Sequence, residues 1–170
     1  MSNMVVCETE KLMDRLESEF TDMVRENRRT IYTVCYFFSR NRENVEDLFQ
    51  EVLVNLWKGF ARFRGDSDVK TWIWRVSMNT CINQESKRKR SVQTVPLTID
   101  IDLPDSSGEH NNQVGMLYDR ITGLPLFGRA IILLWLEGMK YDEIAGIVGI
   151  TPSAVTSRLF RIKEQLKSKM

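Results

Sequence analysis

Apolar residues recur at intervals of three and four along most of the chain, the signature of a helix with one buried face. Leu12, Leu16, Phe20, Met23, Ile31, Val34, Cys35 and Phe38 trace such a face and predict a long first helix. The pattern sharpens in "NVEDLFQEVLVNLW", where Val45, Leu48, Phe49, Val52, Leu53 and Leu56 form one stripe and Glu46, Asp47, Gln50, Glu51 and Asn55 take the opposite face. Asn44 is the expected N-cap there, with Asp47 three residues later. "FRGDSD" interrupts the period at Gly65 and offers Ser67 or Asp68 to cap a third helix. The core face of that helix is expected to carry Trp72, Ile73 and Val76, leaving Trp74 on another face.

The helical period stops in "SVQTVPLTIDIDLPDSSGEHNN", residues 91–112. Pro96 and Pro104 remove backbone donors, and Gly108 sits among short polar residues. "LTIDIDL" alternates as a strand would, but no second strand exists to pair with it. Beyond it "VGMLYDRI" begins a helix, "LPLFGRAIILLWLEG" supplies an apolar one stopped at Gly138, and two shorter helices follow. The reading is an all-α chain of two small helical domains, 8–90 and 113–170, joined by a flexible acidic linker over 91–112.

The end of the chain has a specific spacing. In "YDEIAGIVGITPSAVTSRLFRIKEQL", Ala145 lies four residues before Gly149 and ten before Val155. A helix-turn-helix needs a small residue where its helices cross, a glycine at the turn and an apolar plug in the angle, here Ile144, Val148, Ile150, Val155 and Leu159. Thr151 and Pro152 read as N-cap and first residue of the second helix. Its exposed positions would be Ser153, Thr156, Ser157, Arg158, Arg161 and Lys163, hydroxyls and cations of the kind that meet phosphates and base edges. An ordinary helical hairpin would explain Gly149 alone, but not the cap, the small-residue spacing and the cationic helix together.

Charge adds what the overall balance of +1 conceals. Residues 58–90 hold nine Lys or Arg against three acids, 91–119 hold five acids and no Lys or Arg, and 152–170 hold five cations against one acid. Two basic segments around an acidic one point to a polyanionic partner. The run Lys87, Arg88, Lys89 and Arg90 also suits the negative end of a helix dipole, which any solvated helix end could use. Phe60, Phe63, Trp72 and Trp74 change the picture, because duplex binding needs charge and a helix but no cluster of rings. Unpaired bases stack on rings at about 1–3 kcal/mol each.

Several classes of function drop out. Cys7, Cys35 and Cys81 are far apart in sequence and read as reduced, packed thiols of a cytoplasmic protein. His110 is the only histidine, so chemistry needing two imidazoles is excluded. No apolar run is long enough for a membrane span, and the N-terminus has no basic region followed by an apolar stretch. Asp47 and Glu51 lie one turn apart, as a nuclease pair would, but acids at that spacing are ordinary on an amphipathic helix and nothing in the sequence converges on them. No enzyme, cofactor or metal is expected. A stand-alone helix-turn-helix regulator is the alternative, and it leaves Phe63, Trp74 and Asn79 without a task.

"EDLFQEVLVNLWKGFARFRGDSDVKTWIWRVSMNTCIN" together with "LPLFGRAIILLWLEGMKYDEIAGIVGITPSAVTSRLFRIKEQL" resembles the two domains of a bacterial extracytoplasmic-function sigma factor. The resemblance covers residues 15–90 and 113–168 and rests on two independent sets of motifs in the right order. It implies a non-enzymatic initiation subunit that binds core RNA polymerase and promoter DNA, both duplex and melted, and that is often held by an anti-sigma factor. Asp47, Gln50, Glu51 and Asn55 would meet the clamp coiled coil of the large polymerase subunit. Phe63 and Asn79 would capture a flipped non-template base of the minus-ten element. The same side would use Arg75 and Lys87, Arg88, Lys89 and Arg90 as cations. Arg158 and Arg161, with Ser153, Thr156 and Ser157, would face the minus-thirty-five duplex. Three positions depart from the pattern: Lys140 stands where members often carry a Ser or Thr cap, and Ala154 and Thr156 stand where Gly and Lys are frequent.

Overall fold

A computed structural model of the chain describes residues 2–39, 42–91 and 112–168, with side chains at 8, 10–39, 44–88 and 115–168. The expected linker therefore lies, except for its two end residues, outside the described residues. Seven helices occur among them, and no strand: α1 (Ser2–Phe38), α2 (Arg42–Phe60), α3 (Val69–Ser91), α4 (Asn112–Thr122), α5 (Leu126–Leu136), α6 (Tyr141–Val148) and α7 (Pro152–Ser168). The all-α class agrees with the sequence reading. Some boundaries move: α2 begins two residues before Asn44, which is therefore inside the helix rather than its cap, and α7, at 17 residues, is longer than α5.

The helices α1, α2 and α3 pack against one another, as do α5, α6 and α7. The first group closes over Ile31, Val34, Cys35 and Phe38 of α1, Val45, Val52 and Leu56 of α2, and Ile73, Trp74, Met78 and Cys81 of α3. Leu12, expected on the core face, is 59% exposed, so the start of α1 runs beyond this core.

The orientation of α3 overturns a second expectation. Trp74 is completely buried, whereas Trp72 and Val76 are only partly so. The buried face runs through Ile73, Ser77 and Cys81, with Trp74, Met78 and Glu85 beside it. Three buried residues of α3, Ser77, Thr80 and Glu85, are polar. Their presence blurs the apolar stripe, and the adjacent Val76 then gives the wrong phase. Thr80 is satisfied locally: its hydroxyl donates to the Val76 carbonyl at 2.8 Å and accepts from Asn55 Nδ2 at 3.1 Å, which stitches α3 to α2. Contact with the Cys35 thiol, and then burial, push the Cys81 thiol well above its usual range, so it stays protonated and unreactive.

Candidate nucleic-acid interface

In the last two helices the turn residues do what their spacing required. Gly149 adopts φ 77°, ψ 37°, a left-handed conformation that costs a glycine nothing. Its N–H donates to the Ala145 carbonyl at 2.9 Å, and that of Ile150 reaches the same oxygen at 3.2 Å. Thr151 Oγ1 then accepts the Ala154 N–H at 3.2 Å as the N-cap of α7. Lys140 has no side-chain acceptor to cap α6, but the Glu143 carboxylate reaches back to its N–H at 2.8 Å, so the end of the helix is still held. The angle between the helices is filled by Ile144, Ala145, Val155 and Leu159, with Val148 and Ile150 partly buried. Ile147 and Ile162 are buried here too, although the motif spacing did not single them out.

Ser153, Thr156, Ser157, Arg158 and Arg161 are all exposed on α7. Among the described residues neither arginine takes part in an ion pair, while the Thr156 hydroxyl donates back to the Pro152 carbonyl at 3.1 Å. Lys163 departs from expectation. Its ammonium lies 3.6 Å from the centre of the Trp135 ring, so this cation is turned inward onto α5. Phe160, which the sequence reading passed over, is the most exposed large apolar side chain described, at 66%.

A second surface lies on α3. After α2, the N–H groups of Arg62 and Phe63 bond back to the carbonyls of Gly59 and Phe60 at 3.1 Å, a tight turn that brings the Phe63 ring to 4.9 Å from Trp72. Gly59 permits the approach, since a Cβ there would meet Trp72 Cζ2 at 3.0 Å. Asp68 caps α3 by accepting the Lys70 N–H at 3.1 Å. Phe63 borders a groove with Phe60, Asp68, Val69 and Lys70 on one side and Asp22, Met23 and Glu26 of α1 on the other.

Asn79 is exposed but does not line that groove. It stands seven residues after Trp72, hence on nearly the same face of α3 and about 10 Å further along. The partly buried Arg75 lies between them, and its Nε has no acceptor among the described residues. Lys87 and Arg88 are about 24 Å of helix from Trp72. They share a different cleft, with Asp47, Leu48 and Glu51, and Arg88 lies 3.5 Å from the nearly buried Glu85. Lys89 and Arg90 lie in α3, with side chains outside the described residues. On α2, Asp47 and Gln50 are exposed and Glu51 partly so, whereas Asn55 is half-buried and committed to Thr80.

These two surfaces coincide with two matched families. Residues 23–91 match Sigma-70 region 2, and residues 115–166 match Sigma-70 region 4. The ECF RNA polymerase sigma-E factor of Escherichia coli is 30% identical over 145 residues, covering 75% of this chain and 74% of that protein. The ECF RNA polymerase sigma factor SigG of Mycobacterium tuberculosis is 31% identical over an alignment of 183 positions, gaps included, that covers 91% of this chain, and the chain spans half of its length. In fold, the chain is similar to the sigma factor RpoE of Bartonella quintana, solved in complex with the anti-sigma factor NepR: the TM-score is 0.71 at 23% identity, over 88% of this chain and 95% of that one. The chain belongs to the ECF sigma factors of RNA polymerase. No helix among the described residues is long and apolar enough to cross a membrane.

Proposed function

We propose that the chain acts as a dissociable, non-enzymatic initiation subunit with two working units, 8–90 and 113–170. The acidic face of α2, centred on Asp47, Gln50 and Glu51 and supported by Asn55, binds core RNA polymerase. The α7 face, with Ser153, Thr156, Ser157, Arg158 and Arg161, grips the minus-thirty-five duplex. Phe63 and Asn79 receive an unstacked non-template base of the minus-ten element, and Arg75 holds the strand beside them. Lys87, Arg88, Lys89 and Arg90 meet the backbone several nucleotides away, given their distance along α3. An anti-sigma factor is a further expected partner, and the cytoplasm, where polymerase works, is the expected compartment.

The observation that carries this reading is the pairing, in one chain, of a helix with exposed arginines and an aromatic edge. Phe63 stays partly exposed although its ring packs at a tilt against Trp72. Cations alone would bind any duplex and would not favour its open form. Extruding a base costs a few kcal/mol, which a ring offsets by stacking and an amide makes selective by hydrogen-bonding the base edge. A stand-alone regulator would have no use for that edge.

Asn79→Ala is expected to spare polymerase binding and helix content, reduce open-complex formation and relax the preference at one base. Phe63→Ala should reduce opening at every sequence, because stacking is sequence-tolerant. Strand opening on matched duplex and pre-melted promoters separates these effects, since both defects should shrink on pre-melted DNA. Normal opening and full base selectivity in Asn79→Ala would make the residue structural and remove this role. For α7, Arg158→Ala or Arg161→Ala should weaken promoter binding. A uniform loss that lowers the salt slope by about 1 marks a phosphate contact, and a loss of about 1–3 kcal/mol confined to one base marks readout. Unchanged binding in both would place recognition on another face.

A further inference from the structure

The most exposed large apolar side chain described, Phe160, stands in the middle of the face that α7 presents to a duplex. A single exposed ring is ordinary on a protein surface, and it is the position of this one that matters. At about 3.6 residues per turn, Ser153, Ser157, Phe160 and Glu164 fall opposite the buried stripe of Val155, Leu159 and Ile162. Arg161 flanks the ring on one side and Thr156 on the other. The two serines on this face are short and exposed, so the ring projects beyond them. Glu164, one turn further on and 3.2 Å from Lys167, ends the stretch with an acid that a phosphate would avoid.

The Thr156 flank is apolar as well. Its hydroxyl donates to the Pro152 carbonyl at 3.1 Å, so it has no proton left for a phosphate or a base acceptor, and its methyl group is free to make contact. Lys163 falls on the same flank, but its ammonium lies 3.6 Å from the centre of the Trp135 ring and is drawn away toward α5. Thr156 and Phe160 are four residues apart, hence neighbours on the helix surface. One side of the α7 face therefore offers the Arg161 cation, and the other a methyl group and a ring.

We propose that Phe160, with the Thr156 methyl beside it, reads thymine, by packing against its C5-methyl group in the major groove of the upstream element. The proposal rests on the reading above that α7 grips this duplex. In the major groove only thymine carries a methyl group, and apolar side chains such as Phe and the methyl of Thr are its usual contacts. The ring has no donor or acceptor to give another base, so a wrong pair loses the methyl contact and has its polar edge covered without a partner. Cations on the same face can hold the backbone at any sequence. The ring and methyl add a discrimination that charge does not supply.

The test uses the full chain bound to core polymerase. A promoter library randomised over both elements gives the preferred sequence. Each thymine of its upstream element, on either strand, is then replaced singly by deoxyuridine, which removes the methyl group and keeps every hydrogen bond. The wild type should lose about fourfold in affinity at one or two adjacent positions, the worth of one buried methyl group. Phe160→Ala should bind the thymine duplex at least about fourfold more weakly and lose nothing further on replacement, because both changes remove the same contact. Thr156→Ser, which keeps the hydroxyl, should shrink the deoxyuridine effect without abolishing it. Both positions are exposed, so helix content should match the wild type. A preferred upstream element without thymine, deoxyuridine tolerated at every position, or an undiminished deoxyuridine penalty in Phe160→Ala would each overturn the proposal and leave the α7 reading standing. If the wild type selects no upstream sequence at all, the α7 reading fails and this proposal falls with it.

Discussion

Trp74→Ala should destabilise the α1–α3 bundle by about 3–5 kcal/mol, the usual cost of removing a large ring from a packed core. The ring is wholly buried in the core, so little collapse can fill the space left behind. For a bundle of this size each kcal/mol moves the midpoint by about 4–8 °C, so the loss should be plain in a thermal melt followed by circular dichroism. Trp74→Phe should behave differently. The indole Nε1 is buried and has no acceptor among the described residues, so its removal forfeits no hydrogen bond and relieves an unsatisfied donor. That gain offsets most of the smaller cavity, and the net cost should stay within about 1 kcal/mol. Trp72→Ala is the control, because Trp72 is only partly buried and leans on Phe63 and Gly59. If Trp72→Ala proves the more damaging of the two alanine variants, α3 is rotated from the phase described.

The same residues show how far sequence reading reaches. The helix-turn-helix was legible because its determinants are local: a left-handed glycine, a threonine cap and a small residue four positions before the turn each act on backbone next to them. The first two helices were legible because their buried faces are almost purely apolar. The phase of α3 was not, because its buried face includes Ser77, Thr80 and Glu85, whose burial depends on partners such as Asn55 25 residues away. Lys163 was misplaced for a similar reason. Its periodicity puts it near the α7 edge, and only the position of Trp135 decides that it turns inward. For the proposed site the sequence offers residue types, Phe63 and Asn79 among them, but no distances between them. That Asn79 stands about 10 Å along α3 from Trp72, and that Lys87 lies with Asp47 rather than with Phe63, follow from helix geometry and packing.

Asp47→Lys combined with Glu51→Lys should lower the affinity for core polymerase by at least about 100-fold while leaving the fold in place. Opposing like charges across an interface cost several kcal/mol, and each 1.4 kcal/mol is about tenfold. Asp47 is exposed and takes part in no ion pair among the described residues, so its replacement disturbs nothing inside the chain. Glu51 is partly buried beside Leu48, where a lysine can lay its methylene stem on the apolar surface and keep its ammonium in water. Circular dichroism should therefore match the wild type within the small changes typical of surface substitutions. Asn55→Ala provides the contrast, because it leaves Thr80 without its α2 donor and should cost about 1 kcal/mol of stability before any contact with a partner is lost. Lys87→Glu divides the cleft further. If that cation serves the DNA backbone, polymerase affinity stays unchanged and promoter binding weakens. If it completes the polymerase surface with its neighbours Asp47 and Glu51, core affinity falls while the salt dependence of promoter binding is retained. Wild-type affinity of the double reversal for core polymerase, measured by titration at two salt concentrations, would remove the α2 face from the interface altogether.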